Sequence, residues 1–298
     1  MFFCIVSNSF AKEKIKLPKS TYQDIIINNK VVKKGYGPDC QSRYNAIKNV
    51  LKDFKRPITV LDIGAAEGYM SFRIANDFDS TCVMIADPGT LGKVLPKLCR
   101  LNSDLDNIIL LSKRINVQEL EILSQCEHFD VVLALNVLHH FSKDTWKRAA
   151  EAILSLGDYV IIETPPVEDR VACGQSSIPE IFNFVEDKKE TVIAKTQRKH
   201  TNKKSFGITY LLKGNKVIER RKSWCSPFSY QMHSSLAERF LWDGEYKFAW
   251  PKGISLTTFE KLNGTYPEKN TIQQLTYNFE GDMQHIILQG NQIDILAN

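Results

Sequence analysis

Two acidic residues, Asp62 and Asp87, each end an apolar run that is typical of a strand buried on both faces. Between them lies the turn G-A-A-E-G at 64–68, whose small residues let the backbone bend and let a ligand approach the main chain. Asp87 follows Gly68 by 19 residues, close to the spacing at which a carboxylate accepts hydrogen bonds from a ribose diol. These residues predict a nucleoside site at the carboxyl edge of a parallel sheet.

The turn differs from the phosphate-binding turn of dinucleotide enzymes. That turn follows the pattern G-x-G-x-x-G, whereas this sequence has G-x-x-x-G with Glu67 inside it. A carboxylate repels a phosphate but suits a cationic ligand. The pattern therefore disfavours a nicotinamide dehydrogenase, an alternative that would require NAD to be retained on purification.

Polar residues also follow two later apolar runs. Asn136, His139 and His140 come directly after the fourth predicted strand, and Glu163 ends the fifth. Because imidazole titrates near neutrality, the two histidines are candidate catalytic bases, and His140 is the preferred one. Glu163 is a candidate for orienting a substrate. Two structural alternatives stay open: a histidine pair that packs as a hinge, and a glutamate that caps a helix or forms a salt bridge.

Three stretches resemble motifs of the class I S-adenosylmethionine-dependent methyltransferases. They are V-L-D-I-G-A-A-E-G at 60–68, I-A-D-P at 85–88 and F-D-V-V-L-A-L-N-V-L-H-H-F at 129–141, in matching order and spacing. The resemblance covers about Tyr36 to Leu212, and it departs at Ala66, where many members have glycine. It implies methyl transfer as the activity and S-adenosyl-L-methionine as the cofactor.

The resemblance also implies roles for single residues. Asp62 and Glu67 would contact the methionyl end of the cofactor, and Asp87 the ribose. Asn116 would read the adenine base, or it caps the helix that follows. The predicted cofactor-binding residues are Tyr36, Arg43, Asp62, Gly64, Ala65, Ala66, Glu67, Gly68, Tyr69, Asp87, Pro88, Asn116, Asn136 and Val137. Tyr36 and Arg43 have the alternative roles of turn packing and a solvated helix charge.

The elements that position these residues alternate between strands and helices. Asp39 or Ser42 can cap a first helix that runs to Phe54, and Ser142 is the predicted cap of the helix after the fourth strand. We expect an α/β fold with a Rossmann-like, seven-stranded, mostly parallel sheet and helices on both faces. Its last antiparallel pair, near 191–196 and 206–212, is what the family resemblance implies.

Three regions are predicted. Residues 1–35 form a loosely attached N-terminal segment, and residues 36–213 form the methyltransferase domain. Residues 214–298 form a small α+β appendage that shapes the acceptor site and ends in a hairpin. The stretch at 281–296 is faintly similar to the catalytic loop of small-molecule kinases, but it lacks their metal-binding asparagine, so this likeness is discounted.

The composition is that of an ordinary globular chain: 298 residues, of which 43% are hydrophobic and 24% charged. No stretch approaches the roughly 20 apolar residues that a membrane helix needs. The apolar start at 1–11 lacks a preceding basic residue, so we expect a cytoplasmic protein rather than a secreted one. The 7 cysteines form no C-x-x-C pair, which argues for a reducing compartment and against a metal site.

The net charge of +5 is mild, but residues 188–222 carry twelve Lys or Arg against two Glu. This run is interpreted first as a solvated sheet edge, second as a surface for an anionic small-molecule or glycan acceptor, and third as an RNA-binding surface. The predicted function is methyl transfer to a small-molecule, glycan or lipid-type acceptor at oxygen or nitrogen. The alternatives are an RNA methyltransferase and a non-catalytic scaffold that binds S-adenosylmethionine. The oligomeric state is not predicted.

Overall fold

The structure, a computed structural model, describes residues 17–55, 57–87, 89, 91–102, 105, 108–112, 114–126, 128–166, 177–197 and 206–215, and four strands beyond them. Two 3-10 turns lie at Leu91–Val94 and Leu138–His140. The helices and strands are β1 (Ile25–Ile27), β2 (Lys30–Lys33), α1 (Cys40–Leu51), β3 (Ile58–Ile63), α2 (Tyr69–Asp77), β4 (Ser80–Ala86), α3 (Leu95–Leu101), β5 (Ile108–Ser112), α4 (Val117–Cys126), β6 (Phe129–Leu135), α5 (Trp146–Ser155), β7 (Gly157–Thr164), α6 (Ile178–Lys188), β8 (Lys189–Gln197), β9 (Phe206–Lys213), β10 (Ser229–His233), β11 (Ile272–Asn278), β12 (Met283–Leu288) and β13 (Asn291–Leu296).

A central sheet has the strand order β5-β4-β3-β6-β7-β9-β8. The strands from β5 to β7 pair in parallel, and β9 runs antiparallel to both β7 and β8. The expected α/β class with a mostly parallel sheet is confirmed. The chain moves outward from β3 to β5 on one side and then returns to β6 on the other. The strand order therefore reverses between β3 and β6, the place where α/β sheets bind ligands beyond the carboxyl ends of their strands.

Successive residues of each strand point to opposite faces of this sheet. Helices cover both faces, so the sheet separates two hydrophobic cores. Leu61 faces one core, which also contains buried residues of α4, α5 and α6. Val60, its neighbour in β3, faces the other core with buried residues of α1, α2 and α3. Every residue of β3 is buried, as its mostly apolar sequence without alternation predicts.

Residues 17–35 are packed against the domain, so the expected loose attachment does not hold for them, and residues 1–16 lie outside the described residues. Ile25 and Ile26 are buried in the core that contains α1 to α3. Asn102 ties the β1–β2 hairpin down: its Oδ1 accepts a hydrogen bond from the Asn28 amide, and its Nδ2 donates to the Ile26 carbonyl. The hairpin is held by apolar burial and by hydrogen bonds that no local sequence pattern indicates.

Two helix starts test the predicted caps. Asp39 caps α1, because its side chain accepts hydrogen bonds from the amides of Gln41 and Ser42. The cap position of α5 is Thr145 rather than Ser142, so that prediction is wrong by three residues. Ser142 instead opens the preceding turn, where its carbonyl accepts from the Thr145 amide.

Strands β10 to β13 form a four-stranded antiparallel sheet in the order β10-β11-β12-β13. Residues 167–176 lie outside the described residues, as do residues 198–205 of the basic run at 188–222. The backbone amides of Gly214 and Asn215 donate hydrogen bonds to the carbonyls of Asp158 and Leu154. Within the described part of the chain, no helix has the length and apolar character needed to cross a membrane.

Candidate functional site

The turn between β3 and α2 is held in left-handed backbone conformations. Gly64, Ala66 and Gly68 have φ angles of 72°, 52° and 77°. The amides of Gly64 and Ala65 both donate to the carbonyl of Ile85 in β4, at 2.8 and 3.0 Å. The conformation of Ala66 costs an L-residue about 1–2 kcal/mol, and such strain is concentrated at ligand sites. Alanine stands here where the resembling family often has glycine, and it tolerates the same backbone.

The end of β6 packs directly against this turn. A Cβ on Gly64 would lie 2.7 Å from Cγ2 of Val137, so no larger residue fits without displacing that side chain. On the other flank, a Cβ on Gly68 would lie 2.7 Å from Cδ1 of Leu95. The turn and Val137, which were predicted separately, therefore meet where the strand order reverses.

Asp62 lies in β3 just before the turn, and its carboxylate is buried. Its Oδ2 accepts a hydrogen bond of 2.7 Å from the hydroxyl of Ser71 in α2. Burial raises the pKa of Asp62 to about 6, although the Ser71 hydrogen bond and the charge of Arg43 both lower it. The ionised carboxylate is poorly stabilised by the protein alone, so a cationic ligand beside it would be favoured.

Asp87 follows β4 and is partly exposed. Its Oδ1 accepts a hydrogen bond of 2.8 Å from the Gly89 amide, and its Oδ2 lies 4.0 Å from Nε of the exposed Arg114. One carboxylate oxygen is thus used by the local turn and the other lies near Arg114. Pro88, a predicted contact, lies outside the described residues.

Asn136 directly follows β6, Glu163 lies near the end of the neighbouring β7, and the two residues bind each other. The Asn136 amide donates to the Glu163 carbonyl at 2.9 Å, and its side-chain Nδ2 donates to Oε1 of Glu163. Asn136 adopts a φ of 58°, a conformation in which asparagine is enriched. Its Oδ1 is buried and has no hydrogen-bond partner among the described residues.

Arg43 of α1 also belongs to this cluster. Its Nη1 donates to Oε2 of Glu163 at 3.3 Å, and its Nη2 donates to Sγ of Cys40 at 3.7 Å. Burial lowers the pKa of Arg43, but the Glu163 carboxylate outweighs burial, and the net pKa is raised. Oε2 of Glu163 also accepts from the Thr209 hydroxyl at 3.3 Å. The alternative of a solvated charge at Arg43 is wrong, because the side chain is 1% exposed.

This arrangement changes the interpretation of Glu163. Both of its carboxylate oxygens are engaged, Oε1 by Asn136 and Oε2 by Arg43 and Thr209. The residue is 1% exposed, so a substrate has no open route to it. The salt-bridge alternative is therefore the one that the structure shows.

The two histidines stack beside each other after β6. Their ring centroids lie 4.2 Å apart with an angle of 36° between the planes. His139 is buried, whereas His140 is exposed at the surface. Partial desolvation and the positive charge of Arg114 lower the pKa of His140, while Asp87 opposes them. His140 is thus near Asp87 and Arg114 and is uncharged at neutral pH, the form that can accept a proton.

Glu67 has a structural role that the sequence did not indicate. Its carboxylate oxygens accept hydrogen bonds from the backbone amides of Tyr22 and Gln23, at 2.7 and 3.0 Å. Its pKa is raised by burial, which these two amides partly offset. Because both oxygens are already bonded and the residue is 2% exposed, Glu67 anchors the N-terminal segment rather than facing a ligand.

Tyr69 and Tyr36 are also engaged within the protein. The Tyr69 amide donates to Oε1 of Gln23 at 2.9 Å, and its hydroxyl donates to Oε1 of Gln41 at 3.0 Å. The Tyr36 ring packs edge-on against Tyr22 at 5.7 Å, which is the predicted alternative of turn packing. Gln23 therefore occupies the start of α2, and neither its type nor its position in the sequence pointed to this contact.

Asn116 caps α4, which was its alternative role. The side-chain Oδ1 of Asn116 accepts a hydrogen bond from the backbone amide of Glu119 at 3.0 Å. The backbone amide of Asn116 donates to Oε2 of Glu119 at 3.0 Å. This reciprocal pair is a capping box. Arg114, two residues earlier, was not chosen as a site residue from the sequence, yet it lies beside Asp87 and influences His140.

One groove among the described residues lies away from the strand ends. This open groove, of about 640 Å³, is lined by residues of α4 and α5, including the ion-paired Glu121 and Arg148. Within the described ranges, no group of His, Cys, Asp and Glu side chains is arranged to hold a metal ion.

Comparisons with known proteins identify no family. No family model matches the chain, and no curated protein matches it. Among solved structures, it is similar to WbdD, a bifunctional kinase-methyltransferase, with 23% identity and a TM-score of 0.48 over 72% of this chain and 48% of WbdD. The chain thus spans about half the length of WbdD.

Two further solved structures are similar over a comparable part of the chain. The N-terminal domain of EvdMO1 with SAH and D-fucose is 12% identical, with a TM-score of 0.47 over 66% of this chain and 92% of that one. The N-methyltransferase NodS from Bradyrhizobium japonicum WM9, in complex with S-adenosyl-L-homocysteine, is 13% identical, with a TM-score of 0.45 over 59% and 87%. Identities and TM-scores of this size assign no activity to the chain.

Proposed function

We propose that this chain is an S-adenosylmethionine-dependent methyltransferase acting on a small-molecule, glycan or lipid-type acceptor at oxygen or nitrogen. The observation that carries the proposal is the left-handed turn at 64–68, which lies where the strand order reverses and is flanked by Asp62 and Asp87. A turn of small residues between two acidic strand ends suits a cationic nucleoside.

The residues present fit such a cofactor at both of its ends. The buried carboxylate of Asp62 has a pKa of about 6 and would be stabilised by a positive charge. Oδ2 of Asp87 accepts no hydrogen bond from the Gly89 amide and has only the ion pair with the exposed Arg114, at 4.0 Å, among the described residues, so it could accept from a ribose hydroxyl. The buried Oδ1 of Asn136 is an acceptor in need of a donor. Tyr69, Glu67 and Gln23 support the turn and the start of α2 from behind.

When bound, the cofactor supplies an activated methyl group on a sulfonium, which is already a good leaving group. The protein therefore contributes mainly alignment, which is worth several kcal/mol when the reacting atoms are held in line. His140 is the group proposed to accept a proton from a hydroxyl or amine acceptor, because its lowered pKa keeps it uncharged at neutral pH. Arg114, beside His140, would favour an acceptor that carries a negative charge.

The domain roles remain part of this proposal. Residues 36–213, with residues 17–35 packed onto them, would bind the cofactor. Residues 214–298 would shape the acceptor site. The composition of the basic run at 188–222 is compatible with an anionic acceptor, and it does not favour RNA over a phosphorylated small molecule.

Calorimetric titration with S-adenosylhomocysteine tests the proposal through Asp87→Ala. A carboxylate that accepts from two ribose hydroxyls should be worth about 1.5–3 kcal/mol, so we expect affinity to fall roughly tenfold to a hundredfold. Asp158→Ala is the matched control. Asp158 is an exposed carboxylate that pairs with His128 and lies near the start of β7, at the opposite end of that strand from Glu163. Unchanged affinity in Asp87→Ala, or no binding by the wild type, would refute the assignment.

A further inference from the structure

Arg43 and Glu163 together determine which atom of the Asn136 side-chain amide, Nδ2 or Oδ1, faces Glu163. The guanidinium of Arg43 lies 3.3 Å from Oε2 of Glu163, so the glutamate is held as a carboxylate that only accepts hydrogen bonds. Asn136 must therefore present Nδ2 to Glu163, and this contact is observed. The two ends of a primary amide diverge, so Oδ1 is turned away from the ion pair.

In the described part of the chain, Oδ1 of Asn136 is the buried acceptor of this cluster that lacks a hydrogen-bond partner, whereas the other unpartnered atom, Nε of Arg43, is a donor. This oxygen is buried, and no donor among the described residues reaches it. Buried acceptors without a partner are rare and costly, and they often belong to sites completed by another molecule. Asn136 directly precedes Val137, which packs on Gly64. The unpartnered oxygen thus belongs to the same strand end as the turn that was proposed to receive the cofactor.

Charge identifies the kind of donor. Asp62 and Glu163 supply two carboxylates, whereas Arg43 supplies one guanidinium whose charge also acts on Asp62. With Asp62 ionised, the cluster has one negative charge in excess. A cationic donor, such as an alkylammonium group, balances that charge and satisfies Oδ1 together.

We propose that Arg43 and Glu163 are positioning residues, which hold the Asn136 amide so that its Oδ1 accepts a hydrogen bond from the α-ammonium of the cofactor's amino-acid end. This inference rests on the proposed function, and it gives Arg43 and Glu163 an indirect role in place of the direct contacts predicted from the sequence. The chain of contacts runs from α1 through β7 to the end of β6.

Removing the acceptor tests the proposal most directly. Asn136→Gly deletes the amide, and glycine tolerates the φ of 58° at this position. Titrations would compare S-adenosylhomocysteine with 5′-methylthioadenosine, which keeps the nucleoside and thioether but lacks the amino-acid end. We expect tenfold to hundredfold weaker binding of the first and less than a twofold change for the second. Equal losses for both ligands, or none for either, would overturn the proposal.

Glu163→Gln tests the positioning role. Arg43 would then take the side-chain oxygen of the glutamine and leave its NH₂ group facing Asn136. The Asn136 amide would have to turn over and present Nδ2 to the ligand's ammonium. Binding of S-adenosylhomocysteine should fall at least tenfold, while that of 5′-methylthioadenosine should be retained.

The matched control is Asp130→Asn, the same chemical change at an equally buried residue near the start of β6, where Asp130 accepts from Thr59. It should alter both ligands alike, by less than threefold. A selective loss in Asp130→Asn, or a non-selective loss in Glu163→Gln, would show a general structural effect and overturn the positioning role. If the wild type binds neither ligand, the proposed function itself fails, which is a different result from failure of the inference.

Discussion

The two sides of the crevice hold their acidic residues in different ways. On the side of β3 and β4, Asp62 has a single hydroxyl partner and Asp87 uses one oxygen in its own turn. On the side of β6 and β7, Glu163 is bound by Arg43, Asn136 and Thr209. A position at the end of a parallel strand thus does not decide whether a carboxylate meets a ligand. What differs is the partner: Glu163 has a buried guanidinium, whereas Asp62 has a hydroxyl and Asp87 an exposed arginine at 4.0 Å.

The largest effect should follow from breaking the paired side. Arg43→Met leaves the Glu163 carboxylate buried without its cation, which typically costs about 3–5 kcal/mol of the free energy of unfolding. Urea denaturation measures this loss, and the double variant Arg43→Met with Glu163→Gln should recover part of it. Asp87→Ala, on the other side, should change the free energy of unfolding by no more than about 0.5 kcal/mol. Similar losses in Arg43→Met and Asp87→Ala would contradict the contrast between the two sides.

A smaller effect is expected from Asp62→Asn, and its sign depends on pH. Because the pKa of Asp62 is raised from 3.8 to about 6, its contribution to stability is complete below pH 4 and is lost as the pH rises through 6. The amide removes this loss, so the variant should be more stable than the wild type at pH 7 by about 1–3 kcal/mol. Thermal or urea unfolding from pH 4 to pH 8 measures the difference.

The same variant should bind S-adenosylhomocysteine more weakly, because the carboxylate beside the ligand's ammonium is gone. Ser71→Ala is its control, since it removes the hydrogen bond to Asp62 but keeps the carboxyl group. A gain in stability together with a loss in affinity would mark Asp62 as a residue kept for binding. An Asp62→Asn protein with the wild-type pH dependence of unfolding would contradict the raised pKa.

The smallest effect concerns Asn116, which was predicted as an adenine contact and is seen as a helix cap. Asn116→Ala should lower the free energy of unfolding by about 1 kcal/mol through loss of the cap. It should leave the affinity for S-adenosylhomocysteine within twofold of the wild type. Asn116→Asp, which keeps the capping oxygen, should retain the stability. A tenfold loss of affinity in Asn116→Ala would restore the adenine role.

Local patterns predicted the fold well where they are continuous. The bounds of β3 and β6 match the mostly apolar runs at 58–63 and 129–135, because a strand buried on both faces is apolar at successive positions rather than at alternate ones. Asp39 was one of two predicted caps and is the one observed. These features depend on neighbours within a few residues, so the sequence contains the information needed to find them.

The site was harder to predict because its contacts join distant residues. Arg43 and Glu163 are 120 positions apart, and Glu67 and Tyr22 are 45 apart. Residue type indicated that Glu163 and Glu67 are acidic groups near the crevice, but not which oxygens were already bonded. The ends of the predicted strands therefore indicated where the candidate residues lie. Tertiary packing determines which partners each side chain binds, and the sequence pattern does not show those partners.

The anchoring of the N-terminal segment by Glu67 limits how the domain can be shortened. A protein that starts at residue 36 would lack the backbone amides of Tyr22 and Gln23. The buried carboxylate of Glu67 would then lose both of these hydrogen-bond donors. The truncation would also uncover the apolar surface beneath Ile25 and Ile26. Recombinant versions of the domain should therefore begin no later than Leu17, even though every motif of the resemblance lies downstream.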